Sequence, residues 1–283
     1  MMIGLRHFAG ALATLACALG GGALAQPTNA PVPLASHRAV YDLTLLKSTG
    51  AKGPAEARGR IAFEFSGSPC EGYVQNFRQI TELQPSEGQA RVSDMLSATF
   101  ESGDARNFRF HIETKVDEAR ADDIDGKAQK LGGAKLAVDL AKPKSAHVEL
   151  SGPVYFPTEH LRRILDAARA GESVLEAKVF DGTGDGQKIF DSLTVIGKPR
   201  AAPAQEKAQE KAPPGDELKA LRRWPIAVSY FEPGGKDGQP SYVLSFDLLE
   251  NGVSQGLKLD YGDFALRGEM TEFKLLPSKE CGK

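Results

Sequence analysis

The sequence predicts a mainly β protein, with one large antiparallel sheet of about thirteen strands that must curl or close, and a single α-helix for it to wrap around. Three observations carry this. From Ser36 onward apolar and polar residues alternate with a period of two, which puts successive side chains on opposite faces of a strand. Glycine, asparagine and aspartate stand between those stretches at turn positions. One stretch reads clearly at helical spacing instead. A meander of that many strands accumulates twist and leaves edges unpaired unless it curls.

The first residues read as a secretion signal. Arg6 and His7 form a short basic region, Phe8 to Leu19 is apolar or small, and Ala23-Leu24-Ala25 is the small-x-small pattern cut before Gln26. Residues 1–25 are therefore expected to be removed, leaving 26–283 as one periplasmic domain. The apolar run is about half of what a bilayer span needs, and no later stretch is longer, so an integral membrane protein is not expected. Cys17 raises lipidation as an alternative. Thr14-Leu15-Ala16 before it is a poor lipobox, because the third position back usually carries a branched aliphatic residue.

Cleavage at Ala25 leaves two cysteines, Cys70 and Cys281, and two thiols in an exported chain are expected to pair; two buried free thiols are the alternative. A bridge between them joins the two halves of the chain, which argues for one domain. Loss of Arg6 makes the chain one unit more negative than its formal charge of −2, which gives no reason to expect nucleic acid or an anionic membrane as partner.

The strands follow in order. Tyr41, Leu43 and Leu45 share a face, as do Ile61, Phe63 and Phe65 opposite Arg60, Ala62 and Glu64. Tyr73 to Leu83, Arg91 to Phe100 and Asn107 to Lys115 continue the pattern, the last with Phe108, Phe110 and Ile112 inward. Such half-buried strands belong to antiparallel sheets. Weaker candidates run over Val116 to Lys130, Lys135 to Leu140 and Ala146 to Leu150. The second half adds Ser173 to Phe180, Gln187 to Ile196, Ile226 to Phe231, Ser241 to Leu249, Val253 to Tyr261 and Phe264 to Leu275.

The helix is predicted over Glu159 to Ala170, with Thr158 as N-cap, Leu161, Ile164, Leu165 and Ala168 as its apolar stripe, and Gly171 to end it. The concave face of the sheet is the natural partner for that stripe. A short helical turn is expected from Asp216 to Arg223, stopped by Pro225. Between the two, Pro199 to Gly215 repeats Gln-Glu-Lys-Ala among prolines and reads as a disordered surface insertion, a linker between two domains being the rival.

Two local motifs resemble chemistry. Gly252-Val253-Ser254-Gln255-Gly256 has the spacing of a nucleophile elbow, but Leu257, Leu259 and Tyr261 follow at strand rather than helix spacing and no histidine comes later. A hairpin led by Asn251-Gly252 explains the glycines. Asp181-Gly182-Thr183-Gly184-Asp185-Gly186 opens like a calcium loop, yet the closing position is Ser192 and strands flank it, so a tight hairpin is expected. Neither HExxH nor histidines at i and i+4 occur, and no metal or cofactor is expected. For a partner surface the candidates are His160, Arg162 and Arg163, which could meet an anion, and Trp224, which could anchor a partner. Their bland readings are a charged exposed helix face for the first three and core or rim packing for Trp224.

Taken together, His37-Arg38-Ala39-Val40-Tyr41-Asp42-Leu43, Cys70-Glu71-Gly72-Tyr73, Phe156-Pro157-Thr158, Val179-Phe180-Asp181-Gly182, Trp224-Pro225-Ile226 with Ser229-Tyr230-Phe231, and Glu280-Cys281 resemble the EipB-like cell-envelope integrity proteins in order and spacing. That resemblance implies about fourteen strands wound into a β-spiral or half-open barrel around one helix, a disulfide at Cys70 and Cys281, and a periplasmic role in keeping the envelope intact. It implies no enzymatic activity, so no catalytic residues are carried over. The insertion at 199–215 departs from the family pattern. The expected function is a non-enzymatic protein acting through an envelope protein or envelope component. A carrier or sensor of a lipid or other apolar ligand is the alternative, since a curled sheet can enclose a cavity.

Overall fold

The computed structural model describes residues 33–50, 53–200, 215–233, 238–278 and 281. Its first half contains β1 (His37–Ser48), β2 (Glu56–Ser68), β3 (Gly72–Gln84), β4 (Arg91–Glu101), β5 (Asn107–Val116), β6 (Ala119–Leu131), β7 (Lys135–Lys142) and β8 (Ala146–Ser151). The helix α1 (Pro157–Ala170) follows. Then come β9 (Val174–Val179), β10 (Phe190–Ile196), β11 (Arg223–Phe231), β12 (Tyr242–Leu249), β13 (Ser254–Asp260) and β14 (Phe264–Leu275). The secretion signal, and residues 201–214 of the expected insertion, lie outside the described residues.

All fourteen strands form one sheet in the order β8 to β1, then β14 to β9. Every neighbouring pair is antiparallel, and the first and last strands pair at its centre, from His37 opposite Leu275 to Ser48 opposite Phe264. The sheet therefore grows outward from the paired ends of the chain, and α1 joins its two outer strands. It is curled but not closed. The segment leaving β8 covers the outer edge of β9 at one point, where the Tyr155 amide donates to the Lys178 carbonyl at 2.8 Å and the Phe180 amide to the Tyr155 carbonyl at 3.0 Å.

Inward residues of both arms and the apolar stripe of α1 make the main core, in which Tyr41, Leu43, Leu165, Trp224, Leu248 and Leu266 are almost fully buried. A second cluster lies under β5 to β7, where Phe156 stacks on Phe108 at 5.0 Å and Phe180 meets Phe110 edge-on at 5.6 Å. Such aromatic pairs add about 0.5–1.5 kcal/mol each beyond their burial.

Several expectations are corrected. The helix begins at Pro157, two residues early, and Thr158 lies inside it rather than capping it. Pro157 favours this start because its missing N–H is one that no helix would satisfy and its φ is already helical. Gly171 does end the helix, in the left-handed conformation at φ 80°, with its amide and that of Glu172 closing on Ala168 and Ala167. The turn near Asp216 is only three residues long, and Pro225 lies within β11. The Pro225 carbonyl accepts from Gly197, beyond the last β10 residue, so its missing N–H would have faced the end of that strand and removes no ladder bond.

The loop at Asp181 is not a tight hairpin, because β9 ends at Val179 and β10 starts at Phe190. Gly182 explains the width: its φ is +81°, and a Cβ there would lie 2.4 Å from the Phe110 ring. The loop is pressed against the second core cluster. Gly182→Val should therefore lower stability by roughly 2–4 kcal/mol, through backbone strain and a clash with Phe110, as read by denaturant unfolding. A change within ~0.5 kcal/mol would show that the loop does not pack there. By contrast, Gly252 to Gly256 does form the β12–β13 hairpin, where the Ser254 carbonyl accepts from the Tyr41 hydroxyl at 2.7 Å.

Cys70, in the turn between β2 and β3, is bonded to Cys281, six residues after the end of β14, at a sequence separation of 211. A loop of that length gives a chain-entropy stabilisation of roughly 5 kcal/mol, and native bridges usually deliver about 2–4. The double variant Cys70→Ser, Cys281→Ser should thus fold but melt roughly 4–16 °C lower, with protease cutting first after β14. Either single variant should match it. An unchanged melting temperature would mean that the bond does not constrain the unfolded chain.

Candidate functional site

Period-two alternation lets a strand put any residue type into the interior, and β3 and β4 use it unusually. Their inward rows carry Gln75, Phe77 and Gln79, then Ser93, Met95, Ser97 and Thr99, whereas Val74, Ile80, Val92 and Leu96 point outward at 37–40% exposure. Of these, Gln75, Ser97 and Thr99 face Pro157 and His160 of α1 and Val179 at the end of β9 across a cavity of about 250 Å³. Its lining includes Gln75, Ser97, Thr99, Asp181 and Tyr230, with Phe77 as its largest apolar member.

Asp181 holds Thr183 through Oδ1, which accepts from the amide at 2.9 Å and the hydroxyl at 2.6 Å. It is surrounded by protein yet keeps accessible surface, which it presents to this hollow. That burial pushes its carboxyl above the usual range, against the pull of the Thr183 bonds. The Tyr230 hydroxyl is raised for the same reason, with the Asp181 charge adding to it. Neither that hydroxyl nor the side chains of Gln75, Ser97 and Thr99 hydrogen-bond within the described chain.

An aromatic wall continues from Tyr230 toward the rim. Tyr230 stacks on Tyr242 at 6.2 Å, Tyr242 meets Tyr261 at 5.1 Å, and Tyr261 stacks on Phe264 at 5.0 Å. The Gln79 amide reaches the Tyr261 hydroxyl at 3.3 Å and so ties β3 to the turn after β13. Larger hollows lie elsewhere, one of about 570 Å³ between β3 and β7. Among the charges lining that one, Lys127 is paired with Asp139 and Arg109 lies over the Phe100 ring.

The helix that floors the cavity is held by a residue that sequence reasoning passed over. Glu101, at the end of β4 and 3% exposed, accepts from the Thr158 amide at 2.7 Å and the Glu159 amide at 2.9 Å. It caps α1 from 57 residues away in the chain. Burial pushes its carboxyl up to about 7 even though those amide bonds pull the other way.

The four candidate surface residues do not form one surface. His160 is 4% exposed and Trp224 2%, so both are corrected to interior positions. The reason is the facing of the helix: His160 and Ile164 lie four residues apart on the stripe turned to the sheet, and Trp224 falls on the inward row of β11. His160 Nε2 lies 3.4 Å from Ser192 Oγ, whose proton goes to the Ala177 carbonyl at 3.1 Å. Burial lowers its pKa to about 4, so it is neutral at pH 7 and no anion site. Arg162 lies over the Tyr73 ring at 4.6 Å and bonds its hydroxyl, while Arg163 lies over Tyr155 at 5.0 Å with a 3.0 Å bond to that hydroxyl. Both guanidinium groups are engaged by aromatic rings on the flank of α1.

A family model of EipB-like proteins matches residues 28–277. The chain belongs to the EipB-like family. It is 35% identical over 262 residues to the cell envelope integrity protein EipB of Brucella abortus (strain 2308), covering 90% of this chain and 89% of that protein. A crystal structure of a β-barrel-like protein of a domain of unknown function, also from Brucella abortus, superposes with a TM-score of 0.79 at 35% identity. The match covers 87% of this chain and all of that one. The expected winding of about fourteen strands around one helix is thus the family's fold. Among the described residues, no helix is long and apolar enough to cross a membrane.

Proposed function

We propose that this chain is a periplasmic binding protein that supports cell-envelope integrity. The observation that carries the reading is its similarity, along nine-tenths of both chains, to a relative named for that role. The Cys70–Cys281 bond, which suits an oxidising compartment, and the secretion signal read in residues 1–25 support export. The interior favours binding over catalysis: Ser192 directs its proton at a carbonyl rather than at His160, and both are buried.

Cells lacking the gene should become sensitive to bile-salt detergent and to cell-wall antibiotics, and a plasmid copy should restore them. A copy without residues 1–25 should not. Intact mass of periplasmic protein should correspond to a start at Gln26 without a lipid. Unchanged sensitivity of the deletion strain, or a copy without its leader that complements fully, would overturn the proposal.

The carrier of an apolar ligand gains no support from the cavity. An acyl chain there would cover Ser97, Thr99, Gln75 and Tyr230 without pairing them, and each unpaired buried polar group costs about 1–3 kcal/mol.

A further inference from the structure

We propose that the interior cavity lined by β3, β4, Asp181 and Tyr230 is a saccharide-binding site, taking one neutral sugar ring, free or at the end of a glycan. The inference rests on the cavity alone and stands whether or not the envelope role does.

Gln75, Ser97, Thr99 and Tyr230 are uncommitted within the described chain, and each can both donate and accept a hydrogen bond. Sugar hydroxyls have the same double capacity. Asp181 adds an acceptor whose second oxygen is not needed by Thr183, suited to adjacent hydroxyls on a ring. Phe77 and Tyr230 supply aromatic surface for the C–H face of a pyranose.

The alternatives fit less well. Among the described residues the lining contains no lysine or arginine, and His160 is neutral, so a phosphate or carboxylate would meet the Asp181 charge without compensation from them. A small cation would satisfy Asp181 but leave the donors of Gln75, Ser97 and Thr99 unused. The volume of about 250 Å³ is below the ~300–1,000 Å³ of sites for drug-sized ligands and suits one ring.

The pattern of β4 points the same way. Keeping Ser97 and Thr99 inside places Val92 and Leu96 in water, opposite to what burial favours, and such local violations mark functional positions.

The test uses the full mature protein, titrated by calorimetry and by saturation-transfer NMR with glucose, N-acetylglucosamine and cellobiose, and separately with laurate and inorganic phosphate. At least one sugar should bind saturably, and laurate and phosphate should not compete. Asp181→Asn, which keeps the shape, and Ser97→Leu, which fills the cavity, should each weaken that binding about tenfold or more. If Ser97→Leu does not fold, Asp181→Asn carries the comparison. No saturable sugar binding at millimolar concentration overturns the proposal, as does displacement of the sugar by laurate or phosphate, or unchanged affinity in folded Asp181→Asn. None of these outcomes bears on the deletion phenotype, so the two proposals fail separately.

Discussion

Leu165→Asp is expected to abolish folding. Leu165 is fully buried on the stripe of α1 that the sheet encloses, within the main core shared by both arms. The substitution removes about 2–3 kcal/mol of burial and leaves a carboxylate among apolar side chains. Together these exceed about 5 kcal/mol, comparable to the whole stability of a typical domain. The variant should be insoluble or lack cooperative melting, whereas Asp166→Leu, one position round the exposed face, should fold. A soluble Leu165→Asp protein with native melting would place the helix outside the core.

Glu101→Ala should be the second most damaging single change, at roughly 2–5 kcal/mol, because it leaves two amides of the first helical turn without an acceptor. Glu101→Gln separates the cap from its charge. The carboxyl titrates near 7 when folded and near 4.5 when unfolded, so the folded state holds the extra proton between those values. Its contribution therefore weakens as pH rises from about 4.5 to about 7, by roughly 3 kcal/mol. His37 and His160 act with the opposite sign: buried neutral, they lose stability as pH falls below 6.5. The native profile mixes these trends. The difference between native protein and Glu101→Gln isolates the carboxyl: the variant should gain on the native protein as pH rises from 4.5 to 7. Denaturant unfolding curves that keep a constant offset across that range would refute it.

The same residues show what alternation reveals and what it hides. The strands were legible because Tyr41, Leu43, Phe108 and Phe110 recur every second residue, and that spacing alone decides which face is buried. The stripe Ile164, Leu165 and Ala168 revealed the helix in the same way. Periodicity gave no warning that β4 is inverted, because Val92, Leu96 and Phe100 make as good an alternating row as Ser93, Ser97 and Thr99. The signal was present in the small polar residues of one row, but which row faces inward depends on the register with β3 and β5.

Sequence alone determined the class of fold, the helix and its buried stripe, and the glycine that ends it, because each follows from local period or local chemistry. The tertiary structure decided the rest. It brought Glu101 to the start of α1, turned His160 and Trp224 inward, and set Asp181 and Tyr230 opposite Gln75, Ser97 and Thr99. These residues lie tens to more than a hundred positions apart, and no local rule links them. They meet because the first and last strands pair at the centre of the sheet, so that its two arms curl toward each other around the helix that joins their ends.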